Sequence, residues 1–244
     1  MSSALQQHRA TATQPHDGTP YTTTVFLQPI AAPSILGLFG FAGATLIVAA
    51  HMAGWYGGSK TDLYVFPFAA FFGGLAQFAA GMWSYRARDG IATAMHGMWG
   101  SFWMAFGVLN LLFAAGTLVE PKGGFPALGF WFIPLAAITW SGAFAALSES
   151  LALFAVLATL ATGSTIAAPA IWTGSAGWEK AAGWVFVFSA GFAWYTATAM
   201  MLAGAAGKVV LPLGKYKRDA NVPGKKPMHP IQLEWAEPGV KMGQ

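Results

Sequence analysis

Six stretches of this sequence carry no charged side chain, and each is long enough to cross a bilayer once. They lie between Asp17 and Lys60, Asp62 and Arg86, Asp89 and Glu120, Lys122 and Glu149, Glu149 and Glu179, and Lys180 and Lys208. A helix rises about 1.5 Å per residue, so about 20 apolar residues span a hydrocarbon core about 30 Å thick. The apolar part of each gap is too short for two crossings and a turn. Charged residues make up 9% of the 244-residue chain, against about 25% in ordinary globular domains. The pattern predicts an all-α integral membrane protein with six transmembrane helices, at about 34–56, 64–85, 91–118, 125–147, 151–168 and 182–206.

The flanks of this 32–207 membrane domain differ from it in kind. Residues 1–31 are rich in Ser, Thr, Gln and His and read as a disordered tail; residues 208–244 form a basic, proline-rich tail. No apolar run precedes residue 34, so a cleavable signal peptide is not expected and the first helix serves as its own insertion signal. Lys and Arg collect in both tails and in the Arg86–Arg88 loop, whereas Lys60, Lys122 and Lys180 each stand beside an acid. That bias predicts cytoplasmic termini. The net charge of +4 forms no basic stripe, so nucleic acid is not an expected partner, and zero cysteines exclude disulfides and thiolate metal sites. Neither a metal nor a cofactor is expected.

The helices hold few polar groups. Gly73, Gln77 and Gly81 lie at i, i+4 and i+8, placing an amide on a small-residue stripe. Interhelical hydrogen bonding and a pore-lining role are both open for it. Trp99, Trp103, Phe106 and Asn110 share a face of helix three, and Trp99 between Gly97 and Gly100 has room to project into a cavity. Pro134 is expected to kink helix four, and Pro169 to end helix five. Thr159, Thr162, Ser164 and Thr165 are expected to bond back to their own helix.

In order along the chain come L-G-L-F-G-F (Leu36 to Phe41), F-F-G-G-L-A-Q-F-A-A-G (Phe71 to Gly81), G-S-F-W (Gly100 to Trp103), A-G-W (Ala182 to Trp184) and V-L-P-L-G (Val210 to Gly214). Together they resemble the acetate uptake transporter family, the succinate–acetate permeases, over about residues 32–214. The resemblance implies six helices around a pore in each protomer, a homohexamer in the bacterial inner membrane, and import of acetate and related short carboxylates, succinate among them, with protons. It also implies a pore constriction, matched here by Phe41, Trp99 and Leu160. Trp99 stands where the family has tyrosine, and Ala32 and Ile35 replace the Asn and second Pro of the family's N-P-x-P motif.

A small carboxylate is ionised at neutral pH, and carrying it inward against an inside-negative potential costs about 2.3 kcal/mol per 100 mV. A compensating proton removes that cost, which favours symport over uniport. No Lys or Arg falls in the predicted spans. Candidate substrate contacts are therefore the Gly37 and Leu38 amides near the positive end of helix one, with Thr45, Gln77, Trp103 and Asn110. His51 and His96 are the candidate proton relays. A passive channel for neutral solutes such as urea or ammonia, and a structural subunit of a larger membrane complex, are the competing readings. An enzyme is not expected, because no ionisable pair at membrane depth has catalytic spacing.

Overall fold

The computed structural model describes residues 24–25, 30–58, 60–119, 121, 125–215 and 231–232. Six helices in it are long and apolar enough to cross a membrane: α1 (Pro33–Met52), α2 (Thr61–Ala87), α3 (Gly90–Ala114), α4 (Pro126–Ala146), α5 (Leu151–Thr173) and α6 (Ala176–Ala206). The expected disorder of the tails falls mostly outside the described residues. Two short strands, β1 (Thr24–Val25) and β2 (Ile231–Gln232), pair antiparallel with Thr24 opposite Gln232, and belong to a unit separate from the helical one.

Within the helical unit, α1 packs on α2, α2 on α3, α4 on α5 and α5 on α6. The first half meets the second along α1–α6, and more sparsely along α3–α4, which closes the ring. Both halves therefore pack their helices in chain order.

Lipid offers no hydrophobic drive for helix association, so the helices approach through small residues. A Cβ on Gly100 would lie 2.6 Å from the Phe78 backbone nitrogen, and one on Gly81 2.6 Å from the Gly97 nitrogen, so α2 and α3 touch main chain to main chain. Gly183 does the same for α6 against α1, 2.5 Å from the Ala53 nitrogen.

Several helix limits differ from the expected ones. The second span is one continuous helix with a π-helical stretch, Ala69–Ala76, in its middle. It follows Pro67, which lacks the N–H that an α-helical bond at its position would need. Pro169 does not end α5. The helix runs on to Thr173, where Gly174 adopts a left-handed conformation (φ +61°), a glycine C-terminus that outweighs the proline as a stop signal. Likewise α1 stops at Met52 and α3 at Ala114, ahead of the expected ends, while α6 starts six residues early at Ala176, with Glu179 in its first turn. Interfacial residues such as Trp55 and Trp184 pack edge to face at 5.3 Å outside the shorter α1.

The expected back-bonding on α5 is present: Thr159, Thr162, Ser164 and Thr165 each donate to a carbonyl on the preceding turn. After α6 the chain folds back, and the Leu213 and Gly214 carbonyls accept from the Ala152 and Leu151 amides at 3.1 and 3.2 Å, satisfying the start of α5.

Replacing Gly100 with alanine is expected to cost about 1–3 kcal/mol through main-chain overpacking, lowering the melting temperature of detergent-solubilised protein. Gly191→Ala, whose Cβ meets open space, leaves it unchanged or slightly raised; differential scanning fluorimetry compares the two.

Candidate functional site

Two cavities enter the bundle from opposite ends. One, designated outer because it lies at the end expected to face away from the cytoplasm, is about 480 Å³ and opens between the α1–α2, α3–α4 and α5–α6 connections, where His51, Asp62 and Glu179 line it. The inner one, about 80 Å³, lies among the start of α1 (Ser34), the turn before α3 (Asp89), the start of α5 (Ser150) and the segment after α6 (Leu213).

A collar one turn thick on α3 and α5 and about two turns thick on α1 separates them. On α1, α3 and α5, Leu38, Met95 and Leu157 line the inner cavity, and Thr45, Trp99 and Leu160 line the outer one. A turn of helix is about 5.4 Å. Phe41 lies within the buried cluster that joins these residues, and Phe41, Trp99 and Leu160 are each 3% exposed. Of the three residues expected at the constriction, Trp99 and Leu160 line the outer cavity, and Phe41 belongs to the same buried cluster but lines neither cavity. Trp99 is held in place: its Nε1 donates to Thr139 Oγ1 at 3.1 Å, and that hydroxyl donates to the Leu135 carbonyl at 2.6 Å. Its ring packs edge to face on Phe102 at 5.3 Å.

Above the collar, Thr45 and Trp103 line the outer cavity, and both are buried. Thr45 Oγ1 and Trp103 Nε1 have no hydrogen-bond partner among the described residues. This sets them apart. The buried hydroxyls of Ser84, Thr139, Ser164 and Thr196 all bond back to their own helices. Trp99, Trp140 and Trp172 each donate their ring N–H. Both residues line the cavity, and a buried polar atom without a partner beside a cavity is a candidate contact for a small ligand with hydrogen-bonding atoms.

The other expected contacts lie elsewhere. Gly37 and Leu38 are the fifth and sixth residues of α1, beyond the first turn whose N–H groups a helix leaves free. Leu38 presents a side chain to the inner cavity, and the His96 ring covers Gly37, where a Cβ would lie 2.6 Å from it. Gln77 is buried opposite Gly40 between α2 and α1, lines neither cavity, and leaves Oε1 without a partner among the described residues. Asn110 Nδ2 donates to the Phe106 carbonyl at 2.9 Å on its own helix. His96 lines the inner cavity with Nδ1 unpartnered among the described residues, and His51 stands at the outer rim.

Sequence reasoning missed Thr139, Phe132 and Phe186 at the outer cavity and collar. The last two come from α4 and α6, where nothing in the local pattern marks them as inward. Thr139 carried one signal: it is one of two hydroxyls, with Ser141, in an apolar helix that also contains an internal proline.

Residues 16–215 match the GPR1/FUN34/yaaH family. The chain belongs to that family. Among its relatives, the succinate-acetate/proton symporter SatP of Escherichia coli strain K12 is 29% identical over 104 residues, 42% of this chain and 54% of the relative. The ammonia transport outward protein 2 of Saccharomyces cerevisiae is 30% identical over 135 residues, 53% of this chain and 47% of the relative. These alignments span about half the length of the curated relatives. The solved structure of the bacterial acetate channel SatP superposes with a TM-score of 0.69 at 26% identity, covering 76% of this chain and 99% of that one.

Thr139→Val would leave Trp99 Nε1 unpaired inside the collar, at a cost of about 1–3 kcal/mol. The expected result is a lower unfolding midpoint and an altered tryptophan emission spectrum, against an unchanged spectrum for the exposed Ser141→Ala.

Proposed function

We propose that this protein is an inner-membrane permease that imports acetate and related short carboxylates, succinate among them, together with protons. The observation that carries this reading is the apolar collar between two cavities, with two unpaired hydrogen-bonding groups on its outer side. Kinship with a symporter and an acetate channel supports it. An ionised carboxylate has no fixed cation to replace its water in the collar, and burying a bare charge is costly. A neutral acid crosses the same collar of Phe41, Trp99 and Leu160 with far less penalty, and the ring also excludes water. Proton coupling follows from that difference.

In this scheme Thr45 and Trp103 hold the acid above the collar, donating a hydroxyl or indole hydrogen to its oxygens. Gln77 and Asn110, which line neither cavity, support the α1–α2 contact and the α3 backbone. Leu38, with Gly37 behind it under His96, shapes the inner side. His51 outside and His96 inside are the groups able to exchange protons. The termini face the cytoplasm, and the exposed apolar flanks of the bundle pack in a homohexamer.

A passive channel for neutral solutes is the second reading, favoured by the yeast relative's name and by a collar that would also pass ammonia. Uptake of labelled acetate into proteoliposomes separates them. An imposed proton gradient should raise the initial rate and drive accumulation above equilibrium. Equilibration without accumulation, insensitive to the gradient, would support the channel.

Trp99→Ala should widen the collar and raise the succinate-to-acetate rate ratio about tenfold, measured in the same vesicles.

A further inference from the structure

We propose that His51 and Asp62 together form the proton-loading site of the outer cavity, a two-residue unit that delivers a proton to the carboxylate arriving at its mouth. The inference rests on the carboxylate-permease reading and assigns to Asp62 a role that its sequence context does not suggest.

The geometry fixes where the protons sit. His51 Nδ1 lies 3.1 Å from the Tyr56 carbonyl oxygen. A carbonyl only accepts, so Nδ1 must carry the hydrogen. In the neutral ring Nε2 is then a bare lone pair, and it faces Asp62 Oδ1 at 3.9 Å. That separation is beyond hydrogen-bond reach but within ion-pair range, so the two groups attract each other once the ring carries a second proton, and the pair can hold that proton at the cavity mouth. The ring cannot easily turn away, because it packs on Gly57 (φ +155°), where a Cβ would lie 2.5 Å from Nδ1.

The surroundings carry few competing charges. Tyr56 on the same connection has its ring 5.8 Å from His51, and its hydroxyl donates to the Ile47 carbonyl. Burial and the nearby Asp62 charge both raise the Tyr56 pKa, so this phenol stays protonated and does not contend for the site. Lys60 lies in the same connection. From α6, Glu179 lines the cavity and Lys180 lies near Gly54, about 4.0 Å from where a Cβ there would stand.

The step balances. The Nε2–H bond of the imidazolium breaks as an O–H bond forms on the substrate carboxylate. The electron pair stays on Nε2, Asp62 stays ionised, and the neutral acid moves toward Thr45. Water at the rim then reprotonates the pair.

The test uses full-length protein in proteoliposomes, with labelled acetate uptake followed across a range of outer pH. Asp62 is 55% exposed at its side chain, so Asp62→Asn should fold normally. Asp62→Asn and His51→Gln should each lower uptake about a hundredfold at neutral pH and far less at acidic pH, where bulk solution supplies the neutral acid. The double variant should lose no more than either single one. Arg86→Gln, at an exposed residue that lines neither cavity, should keep the wild-type profile.

Asp62→Asn and wild-type pH profiles that coincide, or losses that multiply in the double variant, would overturn the proposal. Nitrogen-15 spectra of histidine-labelled wild-type protein give a readout independent of transport. An Nδ1–H tautomer for His51 that is kept in Asp62→Asn supports the assignment, and an Nε2–H tautomer overturns it. Wild-type vesicles that take up no acetate at any pH would defeat the permease reading itself, leaving the tautomer to decide the dyad.

Discussion

The whole arrangement depends on helices whose backbones touch. Where α2 crosses α3 at Gly81 and Gly100, and α6 crosses α1 at Gly183, no side chain stands between the main chains. In lipid this close packing replaces the hydrophobic drive that holds soluble bundles together. It also draws the ring of helices tight enough for a few large side chains to fill the centre. Were the axes further apart, Phe41, Trp99 and Leu160 could not close the space between them.

The collar joins mechanical and chemical roles in the same residues. Its tryptophan is oriented by Thr139, which accepts from the indole and donates onward to Leu135, so a large amphipathic ring sits in an apolar place with its one polar atom satisfied. On its outer side, Thr45 and Trp103 have buried polar atoms with no partner among the described residues. The contrast separates polar groups satisfied within the protein from those left without a partner among the described residues.

Helix number and order were legible in the sequence, because charge-free runs and small-residue spacing answer to the bilayer itself. Ends were less legible. Pro169 looked like a terminator, but a membrane helix can forgo one hydrogen bond where neighbours and hydroxyls compensate, and here Gly174 sets the limit. The π-helical stretch of α2 was hidden because its composition does not differ from that of an α-helix. The roles of individual polar groups were least legible. Gln77, Asn110 and Thr45 look alike as isolated polar residues in apolar helices. Only the packing tells which lies between helices, which bonds its own backbone and which lines a cavity.

The fold-back after α6 bears on how the bundle is made. The first amides of α5 find their acceptors in Leu213 and Gly214, which leave the ribosome about forty residues after α5 has ended. Until then, the second half of the ring sits in the bilayer with its inner edge unfastened. Synthesis of the last segment therefore completes the inner wall, and a nascent chain halted just past α6 would hold all six spans yet lack the clasp that seals them.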